Sequence, residues 1–246
     1  MHDVSGWEIR LDPVRTRALR SSGVWRNRTI GHDARRRAEA EPDRVCMRDA
    51  HRSVTFRQAL EEAEALACSL WSLGLRPGDV VSFQLPNWIE AGIINLAAAL
   101  LGLVSNPIVP IYRETETTSI IRDCGAKVLF VPDILRRFDH VDMAERIRAS
   151  TRSLQHVVVV KPSAPPGPRV LDYSSLVGAT GGVAPWPDVA ADAVKFVLYT
   201  SGTTGVAKGV LHTHETIGRA LQGCMEFWGI APSDSILMPS PVTHQL

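Results

Sequence analysis

Short apolar runs alternate along this chain with stretches of helical period. Val80–Leu85, Val104–Val109, Lys127–Val131 and His156–Val160 are continuous and mostly apolar. Such runs mark strands covered on both faces. Between them, Trp88–Leu101, Thr115–Cys124 and Val141–Ala149 predict helices. Upstream, Leu60, Ala63, Leu66, Ala67, Leu70 and Leu73 recur at helical spacing. Thr55-x-x-Gln58 opens that helix as a capping box, and Gly74 closes it just past its last turn. Val45–Arg48 and Ser53–Thr55 flank a polar turn and predict a hairpin. Asp33 is the candidate cap of a shorter helix through Ala40, ended by Pro42. This order predicts an α/β fold: a doubly wound, mainly parallel sheet with flanking helices and right-handed crossovers.

Two stretches break the pattern. Lys161–Val170 contains Pro162, Pro165, Pro166, Gly167 and Pro168, and Gly181–Asp188 is a second loose segment. They divide the chain into an arm (1–30), a first α/β subdomain (31–180) and the start of a second subdomain (181–246). In that last part, Val194–Leu198 reads as a buried strand and Val210–His214 as a second short one. This pair is expected to lie beyond the first sheet and to begin a second sheet that stays incomplete. The arm holds Arg10, Arg15, Arg17, Arg20, Arg26 and Arg28 without a sustained period. It reads as a solvated arm lying on the domain.

Composition narrows the function. The 246 residues carry a net charge of +1, which argues against a nucleic-acid binder. Positive charge is nearly all arginine; the only lysines are Lys127, Lys161, Lys195 and Lys208. Cys46, Cys68, Cys124 and Cys224 form no C-x-x-C pair, so they read as reduced thiols of a cytoplasmic protein. The N-terminus has no apolar signal-peptide core. The longest apolar run, Ile89–Val104, contains Glu90 and Asn95 and falls short of the about 20 residues a membrane span needs. It reads as a buried helix, with no membrane span.

The chemistry concentrates in Tyr199-Thr200-Ser201-Gly202-Thr203-Thr204-Gly205-Val206-Ala207-Lys208-Gly209-Val210. Glycines allow positive φ and close backbone approach to a ligand. Successive N–H groups in such a turn form an anion-binding concavity. Ser201, Thr203 and Thr204 add hydroxyls, and Lys208 adds an ammonium suited to phosphate oxygens. The P-loop pattern is excluded, because Lys208 lies between Ala207 and Gly209 and a strand, not a helix, follows.

This segment closely resembles the signature [YF]-T-S-G-T-T-G-x-P-K-G-V of the adenylate-forming superfamily, which includes acyl-CoA synthetases, aryl-acid ligases, luciferases and peptide-synthetase adenylation domains. Every fixed position matches except Ala207, where the pattern has proline. Proline would stiffen the loop; the substitution bears on rigidity rather than on phosphate chemistry. Further resemblances lie in Gly23-Val24-Trp25, Thr55–Leu60, Leu75–Val81, and Leu100–Val104 with Asn106-Pro107. The likeness runs from about Gly23 onward and is nearest to cyclohexanecarboxylate, aryl-acid and fatty-acid CoA ligases.

The resemblance implies an ATP-dependent acid–thiol ligase. Thr200, Ser201, Gly202, Thr203, Thr204, Gly205 and Lys208 would bind the ATP phosphates, with Mg²⁺ sharing the charge. Lys208 would follow the departing pyrophosphate. Pro239–His244 resembles a segment in which the histidine lies beside the acid and adenylate pocket, so His244 would shape the carboxylate end. The partners implied are an alicyclic, aryl or fatty acid and a thiol, either CoA or a carrier protein. His212-x-His214 raises a metal, but strand alternation explains the spacing and no other ligand cluster supports one. Family members are roughly twice this length, so the chain is expected to be their N-terminal portion and to have little full-reaction activity alone. A non-catalytic ATP- or partner-binding remnant is the alternative.

Overall fold

The computed structural model describes residues 7–179, 182–200 and 207–243. In chain order its elements begin with α1 (Pro13–Ser21), α2 (Ile30–Ala40), β1 (Val45–Arg48), β2 (Ser53–Thr55) and α3 (Phe56–Ser72). Then come β3 (Val80–Phe83), α4 (Ile89–Leu101), β4 (Val104–Pro107), α5 (Glu114–Cys124) and β5 (Val128–Pro132). A short hairpin, β6 (Ile134–Leu135) and β7 (Phe138–Asp139), leads to α6 (His140–Ser150), β8 (His156–Val160), β9 (Leu171–Asp172) and α7 (Tyr173–Gly178). The chain closes with β10 (Val194–Thr200), β11 (Lys208–Thr213) and α8 (His214–Trp228).

Seven strands form one sheet in the order β11-β10-β4-β3-β5-β8-β9, parallel except for the β10–β11 pair. Alternate residues of each strand feed opposite faces, as the two-residue pleat requires. Val128, Phe130, Val158 and Val160 pack with Ala63, Leu66 and Leu70 of α3 and with Ile93 and Ile94 of α4. Leu129, Val131, Val157 and Val159 pack on the other face with Ile120 and Ile121 of α5 and with Met143 and Ile147 of α6. The expected doubly wound sheet is therefore present. It reverses direction after β4: β4 lies on one side of β3, and β5 on the other. Ligands of open α/β sheets bind outside the strands' carboxyl ends at such a reversal.

The capping box forms as the sequence predicts. Gln58 N donates to Thr55 Oγ1 at 3.2 Å, and Thr55 N donates to Gln58 Oε1 at 3.0 Å. Gly74 takes φ +94°, in the left-handed region. No helix among the described residues is long and apolar enough to cross a membrane.

Three expectations are corrected. First, the arm contains a helix, α1. Asp12 Oδ1 accepts from Val14 N and Arg15 N, and Pro13 occupies the first turn. It buries no residue, so it leaves no apolar period to read. The arm does rest on the domain, with Arg20 paired to Asp192 at 3.0 Å. Second, α2 is capped by Thr29, whose Oγ1 accepts from His32 N, and not by Asp33. Third, β10 and β11 do not lie beyond the first sheet; β10 pairs with β4 and extends it. Past them, Phe227, Trp228 and Leu237 are exposed at 86%, 64% and 87%.

Two substitutions rank these contributions in denaturant unfolding. Phe130→Ala, at a fully buried side chain, is expected to cost about 3–5 kcal/mol. Thr55→Ala, which removes only the cap, is expected to cost about 1 kcal/mol.

Candidate functional site

The signature segment lies on the β10–β11 hairpin. Thr200 and Lys208 are Cα partners at its last rung, so residues 201–207 are closed at both ends by one antiparallel pair. Ser201, Gly202, Thr203, Thr204 and Gly205 lie outside the described residues, as does His244. Thr200 and Lys208 are exposed, and Lys208 makes no ion pair among the described residues.

Two contacts fix the hairpin beneath the loop. Tyr199 Oη donates to Asp123 Oδ2 in the last turn of α5. Burial, with this bond, raises the phenol well above its ordinary range. Gly209 stands opposite Tyr199. A Cβ there would come within 3.0 Å of Val197 Cγ2 and 3.3 Å of the Tyr199 ring. Gly209 thus serves close cross-strand approach rather than positive φ.

The carboxyl ends of β3 and β4 supply the adjoining surface. Asn87, just after β3, holds the segment that leads to His244. Its Nδ2 donates to Met238 O at 2.9 Å and Ser240 O at 2.8 Å, and its Oδ1 accepts from Val242 N at 2.6 Å. A cavity of about 290 Å³ opens there between Pro86, Pro110, Arg113, His140, Pro239 and Pro241. Gln84 Nε2 donates to Val109 O and Tyr112 O, both at 3.0 Å, fixing the loop after β4. Arg113 lies over the Phe138 ring at 4.2 Å and donates to three carbonyls of the same loop. Burial holds His140 below its ordinary pKa.

A half-buried charge cluster secures the start of α4 at this edge. Arg52 meets Glu62 through two bonds of 2.8 Å and reaches Glu90 at 3.1 Å. Lys161 meets Glu90 at 3.0 Å and Asp49 at 3.6 Å. Asp49 Oδ2 accepts from Ile89 N and caps α4 from the β1–β2 turn. Burial opposes ionisation of Asp49, but the N–H groups of Ile89, Arg52 and His51 and the Lys161 charge outweigh it and bring its carboxyl to about 2.

His212 and His214 do not share a strand. His212 is on β11, whereas His214 begins α8, where its Nδ1 accepts from Ile30 N at 3.1 Å. Burial lowers its pKa to about 3. Beside it, the Glu215 carboxylate accepts from Arg26 N and Asn27 N, binding the arm to α8. Asn87, Asp123 and Glu215 left no signal in the sequence, because their partners are distant in the chain.

Residues 34–246 match the family model described as AMP-binding enzyme. The chain belongs to that family. It is 30% identical over 237 residues to the medium-chain fatty-acid–CoA ligase of Escherichia coli K12, covering 96% of this chain and 42% of that protein. It is 29% identical over 206 residues to the salicyl-AMP ligase / salicyl-S-ArCP synthetase of Mycobacterium tuberculosis, covering 82% and 36%. Among solved structures, apo MbtA of Mycobacterium smegmatis superposes with a TM-score of 0.85 at 27% identity, over 96% of this chain and 43% of that one. This AMP-binding enzyme chain therefore spans less than half the length of these three relatives.

The Asp49 contacts set an acid limit. A carboxyl depressed in the folded state adds stability above its unfolded pKa of about 3.9 and loses it as pH falls through the folded value. Wild-type stability should therefore drop between about pH 4 and pH 2. Asp49→Asn should lose less across that window, as read by denaturant unfolding at each pH.

Proposed function

We propose that this chain carries the phosphate-binding loop and part of the acid-side surface of an AMP-forming acid–thiol ligase. The observation that carries the reading is the signature segment, closed at Thr200 and Lys208 on a hairpin at the edge of a doubly wound sheet.

A carboxylate resists nucleophiles because its charge repels them and oxide leaves poorly. Attack of its oxygen on the α-phosphorus of ATP forms an acyl adenylate and expels pyrophosphate. A thiol then attacks the acyl carbon and expels AMP. The protein's task is to hold two anions together and to stabilise the charge growing on pyrophosphate. Thr200, Ser201, Thr203, Thr204 and the N–H groups of the segment that includes Gly202 and Gly205 bind the β- and γ-phosphates. Lys208, exposed and without a carboxylate partner among the described residues, follows the pyrophosphate. His244, at the end of the segment that Asn87 holds, shapes the carboxylate end of the pocket.

The donor set of residues 200–208 fits phosphate: hydroxyls, glycines and one ammonium, with no carboxylate. Mg²⁺ would therefore be held chiefly by phosphate oxygens and would supply charge neutralisation. The acid is fatty, aryl or alicyclic. The relatives include both a CoA ligase and a carrier-loading synthetase, so the thiol is CoA or a carrier protein. The chain covers 42% and 36% of those two relatives, and little turnover is expected of these 246 residues by themselves.

ATP binding to the full chain with Mg²⁺, measured by calorimetry, tests the loop. Lys208→Ala should weaken binding about tenfold or more, the value of a charge-assisted contact, without altering the melting temperature. Equal affinity in the two proteins removes Lys208 from the phosphate site. ATP–pyrophosphate exchange with a mixed acid pool should stay near background. Robust exchange that Lys208→Ala abolishes would show instead that this chain adenylates acids unaided.

A further inference from the structure

Lys195 is fully buried in β10, five residues before Thr200. The β10–β11 register slips between Val194, opposite Thr213, and Phe196, opposite His212, leaving Lys195 at an irregularity of the ladder. Bulges of this kind re-aim a side chain. Here the ammonium-bearing stem reaches across to the neighbouring strand and helix: Nζ donates to Ser105 Oγ on β4 at 2.6 Å and to Asn95 O on α4 at 3.0 Å. Ser105 Oγ in turn donates to Asn95 Oδ1 at 3.0 Å. No carboxylate lies within ion-pair distance of Lys195 among the described residues.

Two facts make this contact more than packing. A buried, unpaired ammonium is costly, whereas a neutral amine has two N–H groups and finds two acceptors here. The link also lies where β10 meets β4, next to their paired position Phe196 with Ser105. The antiparallel partner β11 is itself the sheet edge, so among the described residues the loop-bearing hairpin joins the sheet at β4.

We infer that Lys195 is a positioning residue that works as an uncharged amine, bolting the loop-bearing strand to β4 and α4. This rests on the reading of residues 200–208 as a phosphate loop. Burial drives the lysine pKa well below its ordinary value, in keeping with that charge state. The groups around it bring no compensating charge. Ser105 and Asn95 are neutral, the Phe196 ring stands 4.9 Å from Nζ, and His214 of α8 is itself kept neutral by burial. On β11, His212 and Thr213 flank the irregularity.

Three readouts on the full chain test this, with Lys195→Met and Ser105→Ala. The first is proton release on folding. An unfolded lysine is charged below about pH 10, so between pH 7 and 9 the folding equilibrium of wild type should gain about tenfold per pH unit relative to Lys195→Met. Parallel profiles overturn the neutral amine. The second is amide hydrogen exchange at residues 197–200. It should quicken about tenfold in both variants while β3 and β5 keep their protection; unchanged exchange overturns the bolt. Should Lys195→Met not fold, Ser105→Ala tests the same bond from the other side, and the pH slope is read against Lys195→Gln. The third is ATP binding, expected to weaken about tenfold in Lys195→Met, as for a lost hydrogen bond of the loop's support. Undiminished affinity refutes the positioning role. If wild type itself fails to bind ATP, the phosphate-loop reading falls, while the first two readouts still decide the bolt.

Discussion

A strand buried on both faces can present chemistry only at its ends. Strands β3 and β5 are buried along their whole length, so the groups that could meet a ligand cluster after them. Asn87 follows β3, the loop of Val109–Arg113, braced by buried Gln84, follows β4, and Lys161 follows β8. The reversal of strand order between β4 and β5 opens space for that edge. The β10–β11 hairpin then adds its own loop beside β4.

Much of this was legible in the residues because it depends on local pattern. Helix α3 could be read from its capping box, its apolar period and Gly74, each of which acts between residues close in the chain. The central strands could be read because burial on both faces leaves no alternation. Sheet membership of β10 was not legible. Its apolar run looks the same whether it starts a new layer or joins β4, whose Ser105 lies some ninety positions earlier in the chain. Helix α1 was missed for the opposite reason: it buries nothing, so only Asp12 and Pro13 announce it. At the site, the segment around Lys208 stood out through its resemblance to a family signature, whereas the supports at Asn87, Asp123 and Lys195 are distant contacts. Lys195 did leave one mark, a lone lysine inside an otherwise apolar strand.

The fold handles buried ionisable groups in two ways. At the start of α4, Asp49, Glu62 and Glu90 are balanced against Arg52 and Lys161, and each charge retains a partner. Beneath the hairpin, Lys195 and His214 give up their charges instead. The first arrangement holds rigid elements together and tolerates ions because they are paired. The second avoids the cost of an unpaired ion by neutralising it. Both lie next to elements that must keep their position for the edge to retain its shape.

The close approach at Gly209 ties one glycine of the signature to the side chains of the facing strand. Val197 and the ring at 199 together occupy the space that a side chain at 209 would need. Phenylalanine, which the signature also allows at 199, would keep the ring and forgo the Asp123 bond. This rung therefore holds a volume shared across two strands, and the hydroxyl that reaches Asp123 is an addition to it.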